Sequence, residues 1–116
     1  MSNKIYNKLV RDNIPDIISK DVKTKVIKTC KIKDDTIFKT ELLEKLNEES
    51  DELRKAMLSS DGDITEELAD IKTVLDTIVE IEKLDWEEIE QIKQKKDIEK
   101  GKFNDRIYLK SVESED

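Results

Sequence analysis

The sequence predicts a mostly all-α fold. It reads as an antiparallel bundle of three main helices and a short N-terminal helix, with one or two short strands at its periphery. Three observations carry this expectation. Apolar residues recur at alternating spacings of 4 and 3 along the middle of the chain, as in Ile64, Leu68, Ile71, Leu75 and Ile78, which places them on one face of a helix. Acidic helix-start signals stand just before each long periodic stretch. Charged residues make up 44% of the 116 residues and aromatics 4%, with only 2 Gly and 1 Pro, a composition of long amphipathic helices. This length suits a single domain over residues 1–116, and neither an internal repeat nor a linker interrupts it.

Taken in order, Asp12 or Asn13 can cap a short helix with Pro15 in its first turn and Ile17 and Ile18 facing inward. Between Lys23 and Lys33, residues Val26, Ile27, Thr29, Cys30 and Ile32 alternate with lysines in the manner of a short strand. Asp34, Asp35 and Thr36 then cap the first long helix, which runs to about Leu58. Its apolar positions Leu42, Leu46, Leu53 and Ala56 are spaced 4, 7 and 3, and the gap in the series falls on Glu49. A carboxylate therefore sits where a leucine is expected, and a buried carboxylate without a partner is costly. Ser59 to Gly62 supply a turn, and Asp63 with Glu66 forms a capping-box pattern for the second long helix. There Glu67 and Asp70 each precede a seam residue and so border the buried stripe. Asp85 with Glu88 repeats the start signal for a third helix, with Trp86, Ile89 and Ile92 inward and a basic stripe at Lys93, Lys96 and Lys100. Gly101 ends it, Arg106 to Leu109 alternates like a second short strand, and the tail from Ser111 to Asp116 is polar.

Composition also limits function. A net charge of −7 argues against nucleic acid as a partner. No apolar run is long enough for a membrane span and no signal-peptide core opens the chain, so a cytoplasmic protein without membrane contact is expected. Cys30 is the one cysteine and can form no intrachain disulfide; it reads as a small buried hydrophobe. Trp86 and Phe103 read as core or interface residues.

Glu49 and Glu52 are three residues apart, as are Glu67 and Asp70, so each pair shares a helix face. A tight turn between the helices sets the two pairs opposite one another. A lone E-x-x-E is ordinarily a solvated face; two on consecutive helices, one inside an apolar seam, point to a cation. With no His and one Cys, the donors are oxygens, which select Mg²⁺ or Mn²⁺ over Zn²⁺ or Cu²⁺. The lysine stripe and the N-terminal Lys8 and Arg11 could neutralise phosphate beside such a metal.

The pattern E-E-x-x-E at 48–52 followed by E-x-x-D at 67–70 resembles the MazG-type all-α nucleoside triphosphate pyrophosphohydrolases. The opening Y-N-K-L-V-R-D-N-I-P (6–15) and the ending K-G-K-F-N-D-R-I-Y-L (100–109) resemble its phosphoribosyl-ATP pyrophosphohydrolase-like branch, so the likeness spans about residues 4–110. The resemblance implies Mg²⁺-dependent hydrolysis of a nucleoside triphosphate between the α and β phosphates, giving the monophosphate and pyrophosphate. It implies Glu49, Glu52, Glu67 and Asp70 as metal ligands, and Glu48 as a water-orienting base or outer-shell ligand. Lys96 and Lys100 would lie near the phosphates. Where the family tends to R-G-G-F, this chain has Lys100-Gly101-Lys102-Phe103, and a lysine offers a point charge in place of a bidentate fork. The family also implies a homodimer or homotetramer. Phosphoribosyl-ATP hydrolysis in histidine biosynthesis is the alternative substrate, and a non-enzymatic helical interaction module the alternative class.

Overall fold

The computed structural model describes residues 3–23, 26–60 and 62–115. Four α-helices occur among them: α1 (Ile14–Ser19), α2 (Asp35–Leu58), α3 (Ile64–Ile81) and α4 (Trp86–Lys100). The all-α fold is as expected. Residues 24 and 25 of the first expected strand, Asp61 of the expected turn and Asp116 of the tail lie outside the described residues.

The helix starts follow the capping chemistry. Asp34 accepts a hydrogen bond from the Ile37 amide at 3.0 Å and Asp63 from the Glu66 amide at 3.1 Å, each satisfying one of the amides a helix leaves unpaired. Asp85 accepts from the Glu87 amide at 3.0 Å. At α1 the N-cap is Asn13, whose side chain makes no capping bond, and Pro15 occupies the first turn. Gly101 closes α4 with φ of 82°, a left-handed backbone that favours glycine, and its amide reaches the Asp97 carbonyl at 3.0 Å.

The chain divides into two compact units, Met1–Glu82 and Lys83–Asp116. In the first, α2 and α3 pack against each other as a helical hairpin. Its core is thin: Leu42 and Ala56 of α2 and Val74 and Val79 of α3 are buried, and Glu49 is buried with them. Leu46, Leu53, Ile71, Leu75 and Ile78 are half-buried around that seam, whereas Ile64 and Leu68 at the start of α3 are exposed. A Cβ on Gly62 would overlap Ala56, so the absence of a side chain lets the turn close tightly onto the end of α2. At the other end of the hairpin Lys39 pairs with Glu82 at 2.9 Å, a surface ion pair of modest weight.

Several expectations are corrected. No strand occurs among the described residues; the alternating stretches 26–33 and 106–109 find no neighbouring extended segment, and a strand needs a ladder partner to satisfy its backbone. Cys30 is exposed, not buried. In α1 the half-buried residues are Ile14 and Pro15, and Ile17 and Ile18 are exposed. The second unit holds α4 and the irregular segment after it, and α4 has no buried residue. Ile89 is half-buried, while Trp86, Ile92 and Phe103 are exposed: among the described residues of its unit no second helix is present to cover that face.

Candidate metal centre

The expected acidic site lies in the first unit, where the hairpin and the N-terminal segment meet. Glu49 faces the seam because α2 turns that position inward every seven residues, from Leu42 through Glu49 to Ala56. Glu67 and Asp70, half-buried, lie one turn apart on α3. The antiparallel hairpin sets them against Glu49, and one carboxylate oxygen from each of the three lies within 4.8 Å of the others.

That spread is close to what a hard cation needs. Two oxygens each about 2.1 Å from one Mg²⁺ stand at most about 4.2 Å apart, so small rotations of the half-buried Glu67 and Asp70 would gather the set. Oxygen-only donors match Mg²⁺ or Mn²⁺ chemistry, and the residues fit the ion. Glu52 is the exception among the four expected ligands. Its carboxylate, half-exposed, sits 3.5 Å from Lys55 Nζ and outside the converging group, because one turn beyond Glu49 the helix surface already faces solvent.

Each acid has a different electrostatic setting. Glu67 has no ion-pair partner among the described residues; partial burial, then the charges of Asp70, Glu49, Glu52 and Glu66, push its carboxyl above the ordinary value. Asp70 accepts a hydrogen bond from Arg11 Nη2 at 2.7 Å, and the same nitrogen donates weakly to Thr73 Oγ1 at 3.4 Å. Glu49, only 9% exposed, already has a cation of the chain beside it: Lys45 Nζ stands 3.3 Å from Oε1. Glu48 accepts from Lys8 Nζ at 2.8 Å and lies 3.5 Å from Lys45. The Lys8 hydrogen bond outweighs burial and holds the Glu48 carboxyl below its ordinary value, while Glu48 in turn raises Lys8. A carboxylate held low is a poor proton acceptor near neutral pH, which suits Glu48 to fixing Lys8 better than to taking a proton.

Lys8 and Arg11 thus reach the acidic cluster from the N-terminal segment, one clamped to α2 and the other to α3. Beside Arg11 lies a cleft of about 70 Å³ lined by Leu9, Val10, Arg11, Leu42, Lys45, Glu49, Asp70, Thr73 and Val74. Lys96 and Lys100 belong to α4 of the second unit, where both are exposed, and Lys93 of the same stripe pairs with Asp97 at 2.8 Å. Sequence reasoning missed Lys45 and Thr73. Lys45 carried a signal, since it precedes Glu48 and Glu49 by three and four residues on one helix; Thr73 carried none.

Among the described residues no helix is long and apolar enough to cross a membrane. Comparison with known protein families, curated proteins and solved structures finds no match for this chain.

Proposed function

We propose that this chain is a Mg²⁺-dependent nucleoside triphosphate pyrophosphohydrolase, cleaving between the α and β phosphates, with Mn²⁺ as an alternative ion. The observation that carries the reading is the convergence of Glu49, Glu67 and Asp70 oxygens within 4.8 Å, with Lys8 and Arg11 already at the cluster. A divalent ion held there would polarise a phosphate and make water a competent nucleophile near neutral pH. Glu49, Glu67 and Asp70 would hold that ion. Glu48 would orient Lys8. Lys8 and Arg11 would offset the charge on the transferred and leaving phosphates.

The cleft supports a further part of the reading. At about 70 Å³ it is well below the roughly 300–1,000 Å³ of a small-molecule pocket, enough for an ion and phosphate oxygens but not for a base and sugar. Leu43, Met57 and Leu58 of α2 and Ile64 and Leu68 of α3 are large apolar side chains left exposed on the same hairpin. A second copy packing there would cover them and complete the nucleotide site, so a homodimer or homotetramer forms part of the proposal. Light scattering should give at least twice the 13.6 kDa chain mass; a monomer at assay concentration would count against it.

Pyrophosphate release from a panel of canonical and damaged nucleoside triphosphates with Mg²⁺ tests the activity. Glu49→Gln and Asp70→Asn should each lower turnover by at least about 100-fold, since loss of a group that only supports a metal ligand already costs roughly 10–100-fold. Circular dichroism should show the helices retained. Turnover by either variant at the wild-type rate would refute the assignment.

A second reading has one observation in its favour. Lys45, Arg11 and Lys8 already pair with Glu49, Asp70 and Glu48, so the cluster could serve as a charge network within a helical interaction module. That reading requires no response of the chain to Mg²⁺.

A further inference from the structure

Lys45 has no role in the reaction proposed above, although it stands among the site's carboxylates. Its side chain is 17% exposed, and Nζ lies 3.3 Å from Glu49 Oε1 and 3.5 Å from Glu48 Oε2. Across the cleft, Arg11 Nη2 lies 2.7 Å from Asp70 Oδ1. Two of the three converging carboxylates are thus held by cations of the chain itself, and both cations line the same cleft. A divalent ion entering among those oxygens would stand within a few ångströms of an ammonium and a guanidinium. Like charges at that distance repel strongly in a partly buried site, so the ion and the chain's own cations compete for the same carboxylates.

Groups displaced in that competition need a new partner. Lysine's flexible stem lets Nζ swing off the carboxylates without moving α2, and the cleft leaves it facing whatever approaches the metal. A tetrahedral phosphate meets both donors at once, with Arg11 able to bind two of its oxygens. Resting on the metal-dependent reading above, we propose that Lys45 and Arg11 are internal counter-ions of this site, so that a divalent cation and a phosphate-bearing anion bind it cooperatively. Neither ligand is then held firmly alone: the metal competes with the chain's own cations, and the anion competes with the chain's own carboxylates. Lys45 is a positioning and binding residue in this scheme and takes no proton.

Because coupling between two ligands is reciprocal, affinity alone can test it. Mn²⁺ is titrated calorimetrically into the full chain, as wild type, Lys45→Met and Lys45→Gln, without and with sulfate, a tetrahedral dianion that complexes free Mn²⁺ weakly. Sulfate should tighten Mn²⁺ binding to the wild type by about fivefold or more, the lower end of typical coupling. Both variants should bind Mn²⁺ alone more tightly than the wild type and lose most of the sulfate effect. Equal Mn²⁺ affinity in all three chains, or an undiminished sulfate effect in the variants, overturns the proposal and leaves the metal reading standing. Absence of Mn²⁺ binding in every chain overturns both.

Discussion

In the α2–α3 hairpin, Leu42, Glu49, Ala56, Val74 and Val79 are buried; in α4 no residue is. Both regions are heavily charged, and the difference lies in what covers them. α3 carries an apolar stripe that packs on α2 from Ile71 to Val79, and that packing brings acids remote in sequence to one point. α4 has Trp86, Ile89 and Ile92 in its first half and an exposed Ile98 near its end, set among charges, and its ion pairs Lys93–Asp97 and Lys95–Glu99 are local pairs one turn apart. Local pairs of this kind add a few tenths of a kcal/mol to a helix. Packing between elements is what turns a charged face into a site.

The comparison can be broken by truncation. Leu42→Ala should destabilise the chain by about 2–5 kcal/mol, through lost burial and the cavity left behind, read by chemical denaturation. Ile92→Ala on exposed α4 should change stability by no more than about 0.5 kcal/mol. Equal costs at the two positions would erase the distinction between the regions.

A smaller effect sharpens it. The Lys8–Glu48 pair ties the N-terminal segment to α2 through two half-exposed side chains, so it should contribute no more than about 1 kcal/mol. Glu48 titrates below its ordinary value of 4.5, so the stability it contributes is present above that value and is lost as pH falls through the lowered one. Lys8 titrates above 10.5, so its share is present below that value and is lost as pH rises through the raised one. The stability gap between wild type and Lys8→Met should therefore be flat through neutral pH and shrink in acid below the ordinary carboxylate range. A gap that persisted unchanged there would mean that Lys8 acts by packing against Tyr6, whose ring centre lies 5.8 Å from its Nζ.

Much of the fold was legible because helices announce themselves locally. The caps Asp34, Asp63 and Asp85 and the stop at Gly101 follow from side-chain chemistry within a few residues. Strands do not: Val26–Lys33 sets β-formers between lysines, yet pairing depends on a partner that no local pattern reveals. The same divide runs through the site. Glu49 was legible as a gap in an apolar series, and its burial follows from that periodicity. Its compensation by Lys45 was not, since an i,i+4 pair forms on many exposed helices without meaning. Arg11 reaches Asp70 across 59 positions, a separation that only the folded hairpin closes. Cys30 was misjudged because residue type was weighed without knowing what packs around it.

The central claim is that Glu49, Glu67 and Asp70 hold a divalent cation. Thermal unfolding of wild type and Asp70→Asn across a Mg²⁺ titration tests it most directly, because an ion that binds only the folded chain must raise its melting temperature. The wild type should gain stability with Mg²⁺, by about 2.7 kcal/mol once the ion reaches roughly 100 times its dissociation constant, and Asp70→Asn should gain far less. A wild type indifferent to Mg²⁺, or a variant stabilised equally, would contradict the claim.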